Sequence, residues 1–490
     1  FIANTKLTSH SRVRPLPASV SRAMATTRTR AVASISPRAR GRRAATATRR
    51  ARAHASSASA SASEWWEGKR IAVVGSGPSG LATALALRRR GIDDVVVYDR
   101  ASGIKPNVGG GFNLNGGARV LCELGLEDEY AALANDLRRV VARRANGGQQ
   151  LFDVRVHEMI ESDAASRAVL VSERGKTLAG TVQRADLQRA MADALPSDRV
   201  VFGREVTRVR SLGAEEGAEI EFADGERARF DLVIGADGIE SAARSAVDGG
   251  ETPPRYSGIR IVFGCTPAGS DARDASEVNT AHQFFADGAY MLVFTGGGDD
   301  ASKKQHNIAL CVRDAAARDE NGAWRAKPAA KEEAIALMRE KGMPRSAIDV
   351  AEACDRFFDV GVHYHDVLES WSDADGVIAL VGDACHAMPP FLGQGANQAM
   401  QDALCVANEL AKVGSEHKTV KDALKTYENI RKPPTAAIMQ SSRFIGALET
   451  GAGPVSVFRD VAFFVAGTLG ITGKVFLSGA MPRFSASDVE

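Results

Sequence analysis

The stretch "IAVVGSGPSGLATALALRRRGIDDVVVYDR", residues 71–100, runs from Ile, Ala and Val through a glycine-rich turn into a helix-forming segment, then into a second valine run that ends in an acid. The pattern predicts a buried strand at 70–75, a helix at about 79–90 and a second strand at 94–99, a βαβ unit. In the turn, Gly75 permits the tight reversal, Gly77 lets the backbone approach a pyrophosphate, and Gly80 lets helix and strand pack closely. Ser79 lies in the first helical turn, where unpaired N–H groups and the helix dipole favour an anion. Asp99, about twenty residues beyond the turn with Arg100 beside it, is placed to bind ribose hydroxyls. The unit reads as a dinucleotide site, and by itself it does not distinguish NAD(P) from FAD.

The chain has 490 residues, 44% hydrophobic and 25% charged, enough for one large or two intimate domains around a substantial core. Its formal charge of +2 hides an asymmetry: residues 1–63 carry 13 Lys and Arg and no acid, leaving 49 basic against 60 acidic residues from position 64 onward. A net acidic body argues against nucleic acid as a partner. The Arg-, Ala-, Ser- and Thr-rich leader has the composition of a transit peptide, and its Ser and Ala content points to a chloroplast ahead of a mitochondrion. Met24 is the first methionine, so import is expected to begin there. Six scattered cysteines without a CxxC pair read as reduced core residues. No window reaches the roughly 18 apolar residues of a membrane span. The closest approach is "VAFFVAGTLGI", 461–471, a packed helix or a surface-docking segment, with possible membrane-surface contact extending over 461–482.

Beyond the βαβ unit, "VGGGFNLNGGARVLCELGL" (108–126) is a loop leading into a helix. Alternating segments follow at 151–158 and 168–173, and "TVQRADLQRAMADAL" has apolar residues at helical spacing. Phe230 to Ala236 reads as a buried strand returning to the first sheet. Residues 255–312 hold candidate strands of a further, largely antiparallel layer, and 376–384 is another buried strand that leads to a helix over 394–412. The turn "GAGPVS" (451–456) follows helical-looking sequence without a strand and reads as a connector, and "TGGGDD" (295–300) reads as a hairpin loop. A second Rossmann domain for a nicotinamide cofactor is therefore not expected.

The segments "RFDLVIGADGIESAAR" (229–244) and "GVIALVGDACHAMPPFLGQGANQAMQDALCVANEL" (376–410), taken with the first fingerprint and "TVQRADL" (181–187), resemble the single-component FAD-dependent monooxygenases of the aromatic-hydroxylase superfamily. The resemblance spans about 65–470 and is similar to the branch holding zeaxanthin epoxidase and the salicylate and urate hydroxylase-like proteins. It implies an α/β fold with a Rossmann-like, glutathione-reductase-like FAD domain, an inserted mixed β-sheet substrate domain and C-terminal helices. The implied boundaries are a leader at 1–63, FAD-domain parts at 64–150, 181–248 and 369–450, substrate segments at 151–180 and 249–368, and a helical end at 451–490.

The resemblance further implies that Arg184 contacts FAD, that Asp237 and Gly238 lie near FAD and the transient reductant, and that Asp383, next to Gly382, binds the ribityl or pyrophosphate part. Asp383 also ends a buried strand, at the sheet edge where nucleotides bind. Gly393, Gln394, Gly395 and Asn397 fall at a helix start whose N–H groups could stabilise charge on a reduced flavin. Pro389 or Pro390 would lie beside the reacting flavin face, giving Pro389, Pro390 and Gly393 as the catalytic set. His386 is expected against cofactor and structure, without a proton-transfer role. The implied reaction takes NAD(P)H and O2 and places one oxygen atom on a small aromatic, purine-like or isoprenoid substrate by hydroxylation or epoxidation. A reductase or oxidase on the same fold, and a non-catalytic FAD-binding regulator, are the alternatives.

One segment departs from the family pattern, with "VGVHYHDVLESW" where relatives often show Asp-Arg-Pro ahead of a Trp. It carries Tyr364, His365 and Asp366, which puts substrate or reductant handling in doubt there. His363 and His365 alternate as a metal pair would, but they lack a third ligand, and no metal is expected. Phe263, His282, Phe284, Tyr290 and Phe294 are the substrate-side candidates, with two of them expected to line a pocket.

Overall fold

The structure, a computed structural model, describes residues 64–105, 109–146, 148–250, 252–271, 277–315 and 329–485. The expected leader over 1–63 lies outside the described residues.

Five parallel strands make the central sheet, in the spatial order Ile378–Leu380, Leu232–Gly235, Ile71–Val74, Val95–Asp99 and Val200–Phe202. Ile71–Val74, Leu232–Gly235 and Ile378–Leu380 are buried at every position. A strand covered on both faces needs apolar side chains on both, which is why these segments read as continuous apolar runs. The first strand in the chain sits between the second and the fourth, so strand order reverses beside it. At such a switch point the loops leaving the carboxyl edge diverge and open a crevice. The loops on either side are 75–80 and 236–238, two of the segments singled out from sequence.

Helix Pro78–Arg89 covers the sheet and packs against helix Gly395–Leu410. Gly382, at φ +62°, lies between them: an added Cβ would stand 3.0 Å from both Ser79 and Ala399. Glycine at this point therefore draws two helix starts together.

The second layer is a seven-stranded mixed sheet in the order Arg356–Tyr364, Arg255–Cys265, Gln305–Arg313, Ala289–Gly296, Thr280–Ala286, Arg139–Arg144, Gln150–Arg155. Its only parallel pairing is between Thr280–Ala286 and Arg139–Arg144. One face packs on helices Ala330–Glu340 and Arg345–Ala353. The other carries Phe263, Phe285, Tyr290, Phe294 and Phe358, roofed by Phe463, Phe476 and Leu477 of the C-terminal helices.

Three details differ from the sequence reading. The large sheet begins at Arg139–Arg144, inside the stretch expected to belong to the FAD domain, because its hairpin partner Gln150–Arg155 holds it there. Alternation at 168–173 does not make a strand: Ala164–Leu170 is helical, with Asp163 capping it through the Ser166 N–H, and only Val171 forms a bridge. The strand expected to run to 158 stops at Arg155, where helix Val156–Ser162 buries Val156 and Ile160 at helical spacing. The six cysteines are free, and five of them are buried.

Candidate active site

The glycine turn meets its three requirements separately. Gly75 has φ +101°, and a Cβ there would lie 2.4 Å from the Ala236 carbonyl oxygen at the end of the neighbouring strand. At Gly80 the clash would be with the Gly75 carbonyl oxygen at 1.9 Å, so helix and strand could not close. Around Gly77 nothing stands within 4 Å of an added Cβ, the open approach that a pyrophosphate needs. Gly77 is the N-cap of helix Pro78–Arg89 and no side chain caps that start. Its first N–H groups are thus oriented for an anion.

Asp99 closes this end. Its carboxylate accepts from the Ser76 N–H at 2.7 Å, the Ser76 hydroxyl at 2.6 Å and the Ala101 N–H at 2.7 Å, and Arg100 beside it is exposed. Gln188 donates to the Ser76 carbonyl at 2.8 Å and so braces the same turn from helix Arg184–Asp193. Neither Ser76 nor Gln188 was picked out from sequence; the i+4 offset of Gln188 from Arg184, on one helix face, was the available signal.

Arg184 opens that helix. It is solvent-accessible yet walled by protein, the condition of a side chain projecting into a cleft. Burial pulls its guanidinium below the usual arginine range, opposed by Asp383 and Asp99, which both lie within electrostatic reach. Three residues far apart in sequence therefore face one groove. Asp383 is exposed at the first position after Gly382, and its Oδ1 lies 4.0 Å from where a Gly395 Cβ would stand. Helix Gly395–Leu410 starts at that point without a side-chain cap. An acid at a helix N-terminus is favoured by the dipole.

Asp237 follows the strand Leu232–Gly235, in the loop 236–238 at the crevice. Its carboxylate turns back into its own loop, accepting from the Ser241 hydroxyl at 2.5 Å and from the Ala242 and Ala243 N–H groups at 2.7 and 3.2 Å. Burial raises its pKa, and these donors oppose the rise. It shapes the loop that presents Gly238, whose φ of +86° and open surroundings leave backbone exposed to the crevice. Arg244 fixes the far side of this loop by donating to the Ala384 carbonyl at 3.1 Å.

Pro389 and Pro390 lead into a short turn that ends at Gly393. Pro389 is buried, with its carbonyl accepting from Ser442 at 2.5 Å, while Pro390 is exposed. Gly393 has φ +61° and abuts Asn113, whose Oδ1 would lie 2.2 Å from an added Cβ. Asn397, expected here for the backbone N–H groups of the helix start, has a side chain with a structural use of its own. This side chain is fully buried, donating to the Asn113 and Gly393 carbonyls at 3.0 Å each and accepting from the Asn115 and Gly117 N–H groups at 2.9 and 3.0 Å. With its hydrogen-bonding capacity spent on backbone, it latches the helix start to the strand Gly111–Leu114 and has none left for a cofactor. Gln394 is likewise buried, and its amide nitrogen accompanies Gly479 of the last helix rather than the crevice. The Gly393 N–H donates to the Pro390 carbonyl at 2.9 Å and its carbonyl accepts from Asn397, so the backbone open to a ligand is the uncapped helix start at Gly395.

Beneath this loop lies a buried charge lattice that sequence reading missed. Asp402 accepts from His386 Nε2 at 2.5 Å, from Arg431 Nε at 2.8 Å and from the Gly382 N–H at 3.0 Å, and all three side chains are buried. Burial alone would depress the His386 imidazolium, but Asp402 reverses it and holds His386 well above its ordinary pKa. Burial likewise pushes Asp402 up, and His386 and Arg431 bring it below the usual carboxylate range. His386 is thus a structural cation. An acid set in the apolar run "AMQDALCV" was the available signal. Cys385, His386 and Asp402 are, among the described residues, the one cluster with metal-ligand spacing. Arg431 and His386 already occupy the carboxylate, and a further cation would stand against the guanidinium.

His363 and His365 part company. His365 is buried, bonded to the Ile239 carbonyl at 2.7 Å, and burial lowers its pKa, whereas His363 bonds the Gly361 carbonyl and packs on Tyr256. The departing segment therefore props the 237–240 loop. Of the five substrate-side candidates, Phe263, Tyr290 and Phe294 lie on the sheet face toward Gly110 and Gly111. Phe284 packs on the opposite face against the helix pair, with His282 stacked beside it, because successive strand residues alternate faces.

Comparison with known proteins agrees with this geometry. The family described as FAD binding domain is matched over residues 69–442. The chain is 30% identical over 379 residues to 3-amino-4-hydroxybenzoate 2-monooxygenase of Streptomyces cremeus, covering 76% of this chain and 86% of that one. It is 28% identical over 409 residues to a salicylate hydroxylase of Pseudomonas putida, covering 79% and 88%. Among solved structures, Klebsiella pneumoniae HpxO complexed with FAD and uric acid superposes with a TM-score of 0.68 at 22% identity, over 84% of this chain and 97% of that one.

Proposed function

The chain belongs to the FAD binding domain family, and on that premise we propose that it is an FAD-dependent monooxygenase using NAD(P)H and O2 to hydroxylate or epoxidise a small aromatic, purine-like or isoprenoid substrate. The observation that carries this reading is the convergence of Gly75–Gly80, Arg184 and Asp383 with the helix start at Gly395 on one crevice at the sheet's switch point. The residues fit FAD, because the cradle has glycine where a Cβ would strike backbone and open space where a pyrophosphate would pass.

In this reading the turn 75–80, with Ser79, holds the pyrophosphate, and Asp99 with Arg100 holds the adenosine end. Arg184 offsets phosphate charge, Asp383 accepts from hydroxyls along the ribityl chain, and Gly238 and Gly382 allow backbone to approach closely. When bound, FAD supplies the redox chemistry, linking oxidation of NAD(P)H to transfer of one oxygen atom from O2. The N–H groups of the uncapped helix start at Gly395 would stabilise negative charge at the flavin ring, Gly393 would shape the turn that presents them, and Pro389 and Pro390 would wall the reacting side. Phe263, Tyr290 and Phe294 exclude water and orient an apolar ring. No paired acids or Ser-His-Asp set is needed for such a division of labour.

The test is anaerobic mixing of FAD-loaded protein with NADPH or NADH across a panel of aromatic, purine and isoprenoid compounds. Flavin bleaching accelerated by at least one compound is expected, followed in labelled O2 by one label atom in the product. Bleaching without label incorporation would make the chain a reductase or oxidase. Absence of bleaching with every compound would leave a binding protein.

Plastid import through the acid-free leader belongs to the same proposal and is supported by its 13 basic residues. A fluorescent protein fused behind residues 24–63 should accumulate in plastids; cytosolic or mitochondrial signal would refute the assignment.

A further inference from the structure

Two C-terminal helices, Pro454–Thr468 and Ile471–Ala480, are built inside out. In the first, the only buried residues are Arg459 and Asp460. Arg459 donates twice to Asp460, reaches the Ala286 and Glu449 carbonyls at 3.0 and 2.9 Å and lies over the Phe285 ring, and Arg144 reaches the other Asp460 oxygen at 2.6 Å. The outward face carries Val455, Val457, Phe458, Val461, Phe464, Val465 and Leu469, and the second helix adds Ile471 and Val475. These nine are among only eleven large exposed apolar side chains in the described residues, each at least 45% exposed. At 100° per residue the seven on the first helix and its C-cap sweep about half of the circumference, opposite Arg459, Asp460 and the inward Phe463.

Charge turned inward and hydrocarbon turned outward suits contact with an apolar medium. Neither helix alone is long and apolar enough to cross a bilayer: the two meet at 83°, and the first, 15 residues or about 22 Å long, is short of the roughly 30 Å required. The outward surface of both helices bears no carboxylate, and its one cation, Lys474, is exposed without a partner. A broad apolar face edged by a cation and free of acid matches the interface of an anionic lipid layer, and an amphipathic pair of this kind lies in its plane.

From this we propose that helices 454–480 lay their outward face on the surface of an anionic lipid bilayer, as an in-plane anchor with Lys474 at the phosphate level. The inward faces of the same helices roof the aromatic face of the large sheet: Phe463 packs on Phe285 and Phe152, and Gly479 adjoins Gln394 at the loop 389–394. Resting on the monooxygenase reading, the anchor sets the substrate chamber against lipid, and its substrate is an apolar compound that partitions into the bilayer.

The test is co-sedimentation of the FAD-loaded full chain with vesicles of phosphatidylcholine alone or with about one third phosphatidylglycerol, at low and at physiological salt. Binding is expected to both and to be stronger with the anionic lipid. Phe458→Glu with Val461→Glu should lower partitioning at least tenfold while FAD content and melting temperature stay as in the parent chain. Lys474→Glu should remove only the anionic preference. Failure to sediment with either vesicle overturns the docking. So does a soluble oligomer that the Phe458→Glu, Val461→Glu pair dissociates, since the face would then be a protein interface. If vesicles bind but compounds delivered in them fail to speed flavin bleaching while water-soluble ones do, the substrate assignment falls and the monooxygenase reading stands.

Discussion

The two ends of the crevice proposed to hold FAD are both lined by backbone but are held in different ways. The dinucleotide end is backbone: Gly75, Gly77 and Gly80 shape a turn whose constraints are φ sign, a carbonyl 1.9 Å from a missing Cβ, and an uncapped helix start. The flavin-ring end is also backbone at its surface, but side chains hold that backbone in place from below. Asn397 stitches Gly393 to Asn113–Gly117, and Asp402 gathers Gly382, His386 and Arg431. A local end tolerates change only where space is open. A braced end fails when a remote brace is removed.

The largest expected effect separates Gly80 from Gly77. Gly80→Ala forces a methyl against the Gly75 carbonyl, so purified protein should be colourless and should not take up FAD on reconstitution. Gly77→Ala meets no protein atom and should leave the melting temperature of FAD-free protein unchanged while weakening FAD binding; a melting temperature lowered as far as in Gly80→Ala would contradict the distinction.

Next comes the brace. Arg431→Met takes one of two cationic partners from the buried Asp402 carboxylate, and loss of a partner from a buried ion pair costs about 3–5 kcal/mol. The urea midpoint should fall accordingly, and the FAD that remains should show altered ring fluorescence. The lattice also fixes a pH window. The contribution of His386 is complete below the ordinary histidine value and fades as pH rises through its raised pKa, while that of Asp402 is complete above the ordinary carboxylate value and fades as pH falls through its depressed one. The stability difference between the parent chain and Asp402→Asn should therefore be flat between the ordinary carboxylate and histidine values and narrow on either side.

Asn397→Ala is a smaller break. It orphans the Asn115 and Gly117 N–H groups at about 1–3 kcal/mol each, partly relieved by water, and should slow flavin reduction more than it weakens FAD binding. Equal losses in both would show that Asn397 serves the whole cofactor rather than the ring end. The smallest effect lies outside the crevice. Glu449 is buried, its Oε2 lacks a partner, and burial raises its pKa well above 4.5, with Arg459 acting the other way. The unfolded chain ionises this group from its ordinary value upward while the fold keeps the proton, so stability is lost as pH rises. Glu449→Gln should raise the melting temperature at neutral pH and have no effect at pH below the ordinary glutamate value.

Much of the dinucleotide end was legible because its causes are local. A turn that needs positive φ and a close helix-strand contact selects glycine within six residues, and the strands buried on both faces select unbroken apolar runs. The parallel order was implied by the same runs, and Asp383 by its place at the end of one. The readings that changed were those that depend on where a side chain points. Asp237 was named through the family resemblance and Asn397 for its place at a helix start, and only the structure shows that their side chains bond to nearby loop groups, the Ser241 hydroxyl and backbone. His282 and Phe284 were grouped with Tyr290 and Phe294 when the sheet separates them by face. The start of the large sheet at Arg139 depended on pairing with strands as distant as Thr280–Ala286.

The sequence alone determined a resident dinucleotide, the βαβ unit that binds it and the order of three motifs along the chain, because glycine geometry and apolar runs act over a few residues. Only the tertiary structure decided which polar side chains remain free for a ligand, which aromatics face the crevice, and that Arg459 and Asp460 turn inward while Phe458 and Val461 turn out. Those outcomes depend on partners hundreds of residues away, and a buried polar group is satisfied by whichever partner the fold brings within hydrogen-bonding distance.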